Sequence, residues 1–252
     1  MFTRVAVIGA CICVLSVAAY AADDQDKIRQ ENETKKAAIQ DLMAKGQDDR
    51  VIDDLTDVVT SPKYHEIKEW ANLELWNKAQ RTGKLDKVVK DLERSAGKNS
   101  KDIPLQRSIA EGYLRLRDFN KVVSVYEELV NQDSTDPVLQ TRLTDYYILA
   151  GQYDKAIARL EPIVTENPND EYHSDILLNA YVSANMEDKA LALFKKRLDR
   201  DPKSPGLTAR YAQALETFGR TNEAIKEWEK AAQFDPSNGF FARRAADLKQ
   251  KK

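Results

Sequence analysis

The sequence predicts an all-α solenoid: one helix–turn–helix unit repeated along most of the chain. Three observations predict it. The prolines of Asn167-Pro168, Asp201-Pro202 and Asp235-Pro236 stand 34 residues apart, and a fixed period of a few tens of residues marks a repeat architecture. The short polar turn of GQYDKAI recurs on the same spacing, so that Asp154 has counterparts at Asp86, Asn120, Asp188 and Asn222. Composition agrees. Nine Gly and eight Pro in 252 residues are few for an all-β chain, and 42 % hydrophobic residues are too many for a disordered one.

The elements follow in order. Residues 1–21 stand apart from the fold as an expected signal peptide. Arg4 supplies a positive start, Val5 to Ala19 is an uncharged and mostly apolar run, and Ala19-Tyr20-Ala21 has the small-x-small pattern of a signal-peptidase site. Cleavage after Ala21 would place the mature chain in the bacterial periplasm or outside the cell. Two alternatives stay open. One is retention as an anchor, although the run falls short of the roughly 20 apolar residues that span a bilayer. The other is lipidation of Cys11 in the lipobox-like Ile8-Gly9-Ala10-Cys11. Both cysteines, Cys11 and Cys13, lie in this segment, so the mature chain holds no thiol for a disulfide or for catalysis.

Residues 22–68 read as a polar leader followed by a degenerate unit. Asp23 to Lys36 is almost wholly polar and reads as a frayed helix or a disordered segment. GQDDRVIDDL, from Gly46, echoes GKLDKVVKDL, from Gly83, at an offset of 37 rather than 34. Its first helix would run back through Met43, Leu42 and Ile39.

Five full units follow, at 69–102, 103–136, 137–170, 171–204 and 205–238. Their seventh residues (Leu75, Ile109, Leu143, Leu177, Tyr211) and eleventh residues (Ala79, Tyr113, Tyr147, Tyr181, Leu215) share one face of a first helix. The turn then brings Gly83, Arg117, Gly151, Asn185 and Gly219. All but Arg117 are types that tolerate the left-handed backbone ending a helix. The Asp or Asn three residues on is expected to N-cap the second helix. That helix carries a compact twentieth residue (Val88, Val122, Ala156, Ala190, Ala224) and a large twenty-fourth (Leu92, Tyr126, Leu160, Phe194, Trp228). Neither helix can bury its stripe alone, so the units must stack. Residues 239–252, with Phe240, Phe241, Ala245 and Leu248, read as a capping helix. No Gly/Ser- or Pro-rich linker divides the array, which predicts one continuous domain.

On these residues the chain resembles the tetratricopeptide repeat family, whose 34-residue unit has a large residue early, Tyr in the first helix, Ala in the second and Pro near the end. Leu177, Tyr181, Ala190, Phe194 and Pro202 match that pattern. The first two units depart from it, with Val88 and Val122 for the Ala and Ser100 and Ser134 for the Pro. Gln106, Gln140, Ser174 and Thr208 stand where the family has an early Trp. The resemblance implies a right-handed superhelix whose first helices line a concave groove with their second, fifth, ninth and twelfth positions. Carried over residue by residue, the groove would hold Trp70, Leu73 and Asn77, then Arg107 and Glu111 with Arg115 beside them. Thr141 and Asp145 follow, then Tyr172, Asp175 and Asn179, and finally Gln213. Trp70, Arg107 and Tyr172 carry most weight, because Trp, Arg and Tyr dominate interface energies.

Charge and motif exclude other classes. Lys+Arg 39 against Asp+Glu 41 gives a net charge of −2, without the basic excess of a nucleic-acid binder. There is no phosphate-type Gly-rich loop and no His-x-x-x-His pair, so neither an enzyme nor a bound metal or cofactor is expected. His173 lies among Asp170, Glu171 and Asp175, but acidic residues at a helix start follow from the dipole alone. The expected function is a periplasmic scaffold that grips a protein or extended peptide in its groove, in assembly of a cell-envelope complex. The alternative is self-association or a fixed place in a membrane-associated complex, with the basic end Arg243–Lys252 meeting the acidic stretch Asp48–Asp57.

Overall fold

A computed structural model describes residues 3–97 and 101–250, with side chains from residue 24 onward. The expected signal segment, Cys11 and Ser100 lie outside the described side chains. Among the described residues there are thirteen α-helices and one 3-10 helix, with no strand, and no helix is long and apolar enough to cross a membrane. The chain divides into two compact units, 1–140 and 141–252, where the sequence predicts one domain. Each repeat of a solenoid packs only on its neighbours, so no shared core binds the whole array.

The first unit contains α1 (Thr3–Ala44), α2 (Asp48–Thr60), a 3-10 helix (Pro62–Ile67), α3 (Lys68–Thr82), α4 (Leu85–Ala96), α5 (Ile103–Arg115) and α6 (Phe119–Gln132). The polar leader is no disordered segment, since α1 runs through it. Asn32, Ile39 and Leu42 bury one stripe of this helix, and Asn32 Nδ2 donates to the Ile28 carbonyl (2.8 Å) and the Lys63 carbonyl (3.4 Å). Tertiary packing here overrides a composition that is polar in isolation. The acidic α2 is neutralised by its neighbours. Lys78 pairs with Asp48 (2.7 Å), Lys84 with Asp49, Lys87 with Asp53 (2.9 Å), and Lys35 with Asp54 and Asp57 (3.2 and 3.1 Å). The stretch expected to serve as an acidic end is therefore already matched.

The boundary between the units falls inside α7 (Pro137–Leu149). The second unit continues with α8 (Tyr153–Glu166), α9 (Glu171–Ser183), α10 (Glu187–Arg200), α11 (Pro205–Thr217), α12 (Thr221–Phe234) and α13 (Gly239–Gln250). Leu178, Phe194, Leu215, Trp228 and Phe241 belong to one buried cluster that joins α9 to α13.

The repeat register is the packing register. Every seventh, eleventh, twentieth and twenty-fourth residue named above is buried in all five units. All five turn residues have positive φ, including Arg117 (60°) and Asn185 (56°), and Gly46 (68°) ends the helix before α2 in the same way. The capping expectation needs correction. Lys84, Asp118, Gln152, Met186 and Arg220 occupy the N-caps, and of these only the Asp118 side chain caps, accepting from the Lys121 N–H. Asp86, Asn120, Asp154, Asp188 and Asn222 sit one residue inside the helix. Carboxylates there still meet the positive end of the dipole, and that favours them without a capping bond.

Candidate partner-binding surface

In the first unit, Ala71, Leu75, Trp76 and Ala79 turn one face of α3 into the core. Helical periodicity then leaves Trp70, Leu73 and Asn77 on the other face. Leu73 is 56 % exposed, an unusual state for a large apolar side chain. Trp70 is half-buried, with Lys36 Nζ 5.4 Å from its ring centroid. On α5, Arg107 is exposed and lies 3.8 Å from Asp136. Glu111 and Arg115 are differently placed. Arg115 Nε donates to Glu111 (2.9 Å) while its Nη1 donates to Gln80 on α3 (2.6 Å), so the pair braces two first helices.

In the second unit, Thr141 is exposed and Asp145 is half-buried. Burial pushes the Asp145 carboxyl above the usual carboxylate range, against the pull of Arg142 and His173. Tyr172 is 57 % exposed, its ring edge-on to His173 at 5.1 Å. His173 is committed to its helix start, with Nδ1 2.6 Å from Asp170 Oδ2. The His173 backbone N–H and ring hold the Asp170 carboxyl low. Gln213 is exposed on α11.

Asp175 and Asn179 are tied up by arginines that the sequence reading did not single out. Arg197, 5 % exposed, bonds Glu171 and Asp175. Arg210 of α11 pairs with Asp175, and its Nη2 reaches Asn179 Oδ1 at 3.3 Å. Burial pushes the Asp175 carboxyl up, but the two guanidiniums hold it below the usual range. Beside this ladder lies a pocket of about 430 Å³, lined by Glu171, Asp175, Arg197, Arg200, Gly206 and Arg210 among others. The structure thus leaves Trp70, Leu73, Asn77, Arg107, Tyr172 and Gln213 presented outward. It uses Glu111, Arg115, Asp175 and Asn179 as struts.

A second feature shows in the sequence only as a spacing of tyrosines. Tyr113 donates to Glu93 of the preceding repeat while Lys121 Nζ lies 4.7 Å from its ring centroid. Tyr181 donates to Glu161 (2.7 Å), with Lys189 both over the ring and bonded to Glu161 (2.7 Å). Desolvation and the neighbouring carboxylate raise both phenols far above their ordinary range.

These repeats define the class, and comparison with known proteins agrees. A family model described as tetratricopeptide repeat matches residues 113–177. The chain thus has a tetratricopeptide-repeat solenoid fold, and the family match itself rests on residues 113–177. A tetratricopeptide repeat protein from Parabacteroides merdae ATCC 43184 superposes with a TM-score of 0.50 at 16 % identity, over 88 % of this chain and 92 % of that one. Also similar is TTC0263, a thermophilic TPR protein of Thermus thermophilus (TM-score 0.40, 20 % identity, 71 % of this chain and 98 % of that one). YrrB, a TPR protein with an unusual peptide-binding site, is a third (TM-score 0.47, 15 % identity, 75 % and 99 %). No curated protein sequence matches the chain.

Proposed function

We propose that the protein is a periplasmic scaffold that holds an extended segment or helix of a partner protein while a cell-envelope complex is assembled. The observation that supports binding is made in each unit by itself: Leu73 is 56 % exposed in the first and Tyr172 57 % in the second, each on a first helix whose other face is buried. Large apolar side chains held in water by a rigid helix gain free energy when a partner covers them. Arg107 adds a guanidinium with only a 3.8 Å contact to Asp136. The periplasmic part of the reading is supported by the Arg4, apolar run and Ala19-Tyr20-Ala21 pattern.

Crosslinking in the periplasm followed by pull-down tests the binding reading. A defined protein partner is expected, and Trp70→Ala with Arg107→Ala should weaken its recovery roughly tenfold, as loss of interface anchors does. Full recovery with the double variant would remove the groove assignment. Fractionation with N-terminal sequencing tests the location: a periplasmic product beginning at Ala22 is expected, and a cytoplasmic full-length chain would refute it.

A further inference from the structure

The pocket between α9, α10 and α11 has a chemistry of its own. Of its lining groups, Arg197, Arg200 and Arg210 are cationic and Glu171, Asp175 and Asp201 anionic, so the ring of charge is balanced. The contacts alternate in sign: Arg200 lies 3.8 Å from Glu171, Glu171 and Asp175 flank Arg197, and Asp175 is shared with Arg210. An acidic side chain entering would face three carboxylates, and a basic one three guanidiniums. Either would desolvate a charge without a new counter-ion, which costs more than it returns. A neutral group that both donates and accepts meets no such penalty.

Two further observations point to an occupant. Arg197 is 5 % exposed, yet its Nε has no acceptor, and a buried donor left unmatched carries a cost that an incoming acceptor would relieve. At Gly206, in the first turn of α11, a Cβ would meet nothing within 4 Å, so the pocket stays open where any other residue would narrow it. Tyr172, next in sequence to the lining Glu171, holds the register position 34 residues before Gly206. Phe240, 52 % exposed, holds the same register 34 residues beyond Gly206, in the first turn of α13. Its ring is edge-on to Trp228 at 5.7 Å. Three successive first helices therefore present an aromatic, a gap and an aromatic. At ordinary helix spacing the two rings are about 20 Å apart, a span that about six residues of a polyproline-II segment cover with every third side chain on one side.

We propose that this rim is a recognition site for an extended polypeptide segment, with a carboxamide side chain (Asn or Gln) in the pocket over Gly206 and apolar side chains on Tyr172 and Phe240. A carboxamide offers an oxygen to the arginine donors and an NH2 to Glu171 or Asp201, which no charged side chain does. This deepens the scaffold reading and rests on it, since it names what one part of the surface selects.

Fluorescence polarisation on the full mature chain tests the site with labelled peptides of about twelve Ala and Ser residues. Each carries two leucines six positions apart and Gln, Asp or Lys midway. The Gln peptide should bind about tenfold more tightly than the Asp or Lys peptide, the scale of rejection at a mismatched polar site. Gly206→Leu should abolish that preference without lowering the melting temperature, because a Cβ there meets nothing within 4 Å and glycine is the weaker helix former. Phe240→Ala should weaken all three peptides several-fold. Equal binding of the three peptides, no saturable binding of the Gln peptide, or an unaltered preference in Gly206→Leu would each overturn the site. The periplasmic partner keeps the two readings separable. If Gly206→Leu leaves its capture intact while Trp70→Ala with Arg107→Ala removes it, the rim fails and the scaffold stands.

Discussion

Among single residues, the backbone stores a small strain that can be released. Arg117 takes a left-handed φ of 60° where three other repeats have glycine, and a side chain there costs about 1–2 kcal/mol. Arg117→Gly should therefore stabilise the chain by about 1 kcal/mol, read as a rise in the urea midpoint at constant slope. Gly112 is the opposite case. A Cβ there would sit 2.5 Å from both Trp76 and Val89, so α5 packs against α3 and α4 only because that position is bare. Gly112→Ala should cost about 1–3 kcal/mol by overpacking, and a midpoint equal to that of the parent would refute the close approach.

The elements are joined by a staple that recurs across repeats. Tyr181 donates to Glu161 of the preceding repeat while Lys189 bonds the same carboxylate. The Lys189 ammonium and then the Tyr181 hydroxyl hold the Glu161 carboxyl below its ordinary range. A folded-state pKa below the unfolded one gives stability that is present above the unfolded pKa and is lost as pH falls through the folded one. The parent should thus lose more stability on acidification below about pH 4.5 than Glu161→Gln does. Parallel acid profiles for the two would deny the staple a role. Tyr181→Phe removes the hydroxyl and should cost about 1 kcal/mol at neutral pH. Its effect should be non-additive with Glu161→Gln in a double-mutant cycle.

Across the chain as a whole, stability is a sum over neighbouring repeats. The second unit has a buried cluster that runs from Leu178 to Leu248 without help from residues 1–140. A fragment of residues 137–252 should keep its helical circular-dichroism signal and melt in one cooperative transition, whereas a gradual, non-cooperative melt would show that the cluster is insufficient. The same locality lets different stretches of surface specialise. The face of α3 presents Trp70 and Leu73, while α9 to α11 carry a balanced charge ladder and its pocket.

The class of fold, the 34-residue register, the buried positions and the left-handed turns are all legible in the amino-acid order. Each of these follows from a local rule repeated at a fixed period: apolar spacing on a helix, and a residue able to close it. Residues 23–36 are left open on that basis between a frayed helix and a disordered segment, because their helix is held by partners distant in the chain, as Asn32 is by the Lys63 carbonyl. The family resemblance marks twelve candidate groove residues, but packing sorts those that face outward from those that brace. Period places a Cα on a helix face, and it does not say where a long arginine thirty residues away will reach. Asp175 and Asn179 look like binding groups until Arg197 and Arg210 are seen to hold them. Leu73 in the first unit and Tyr172 in the second have no such strut and stay 56 % and 57 % exposed, which only the packing of each unit decides.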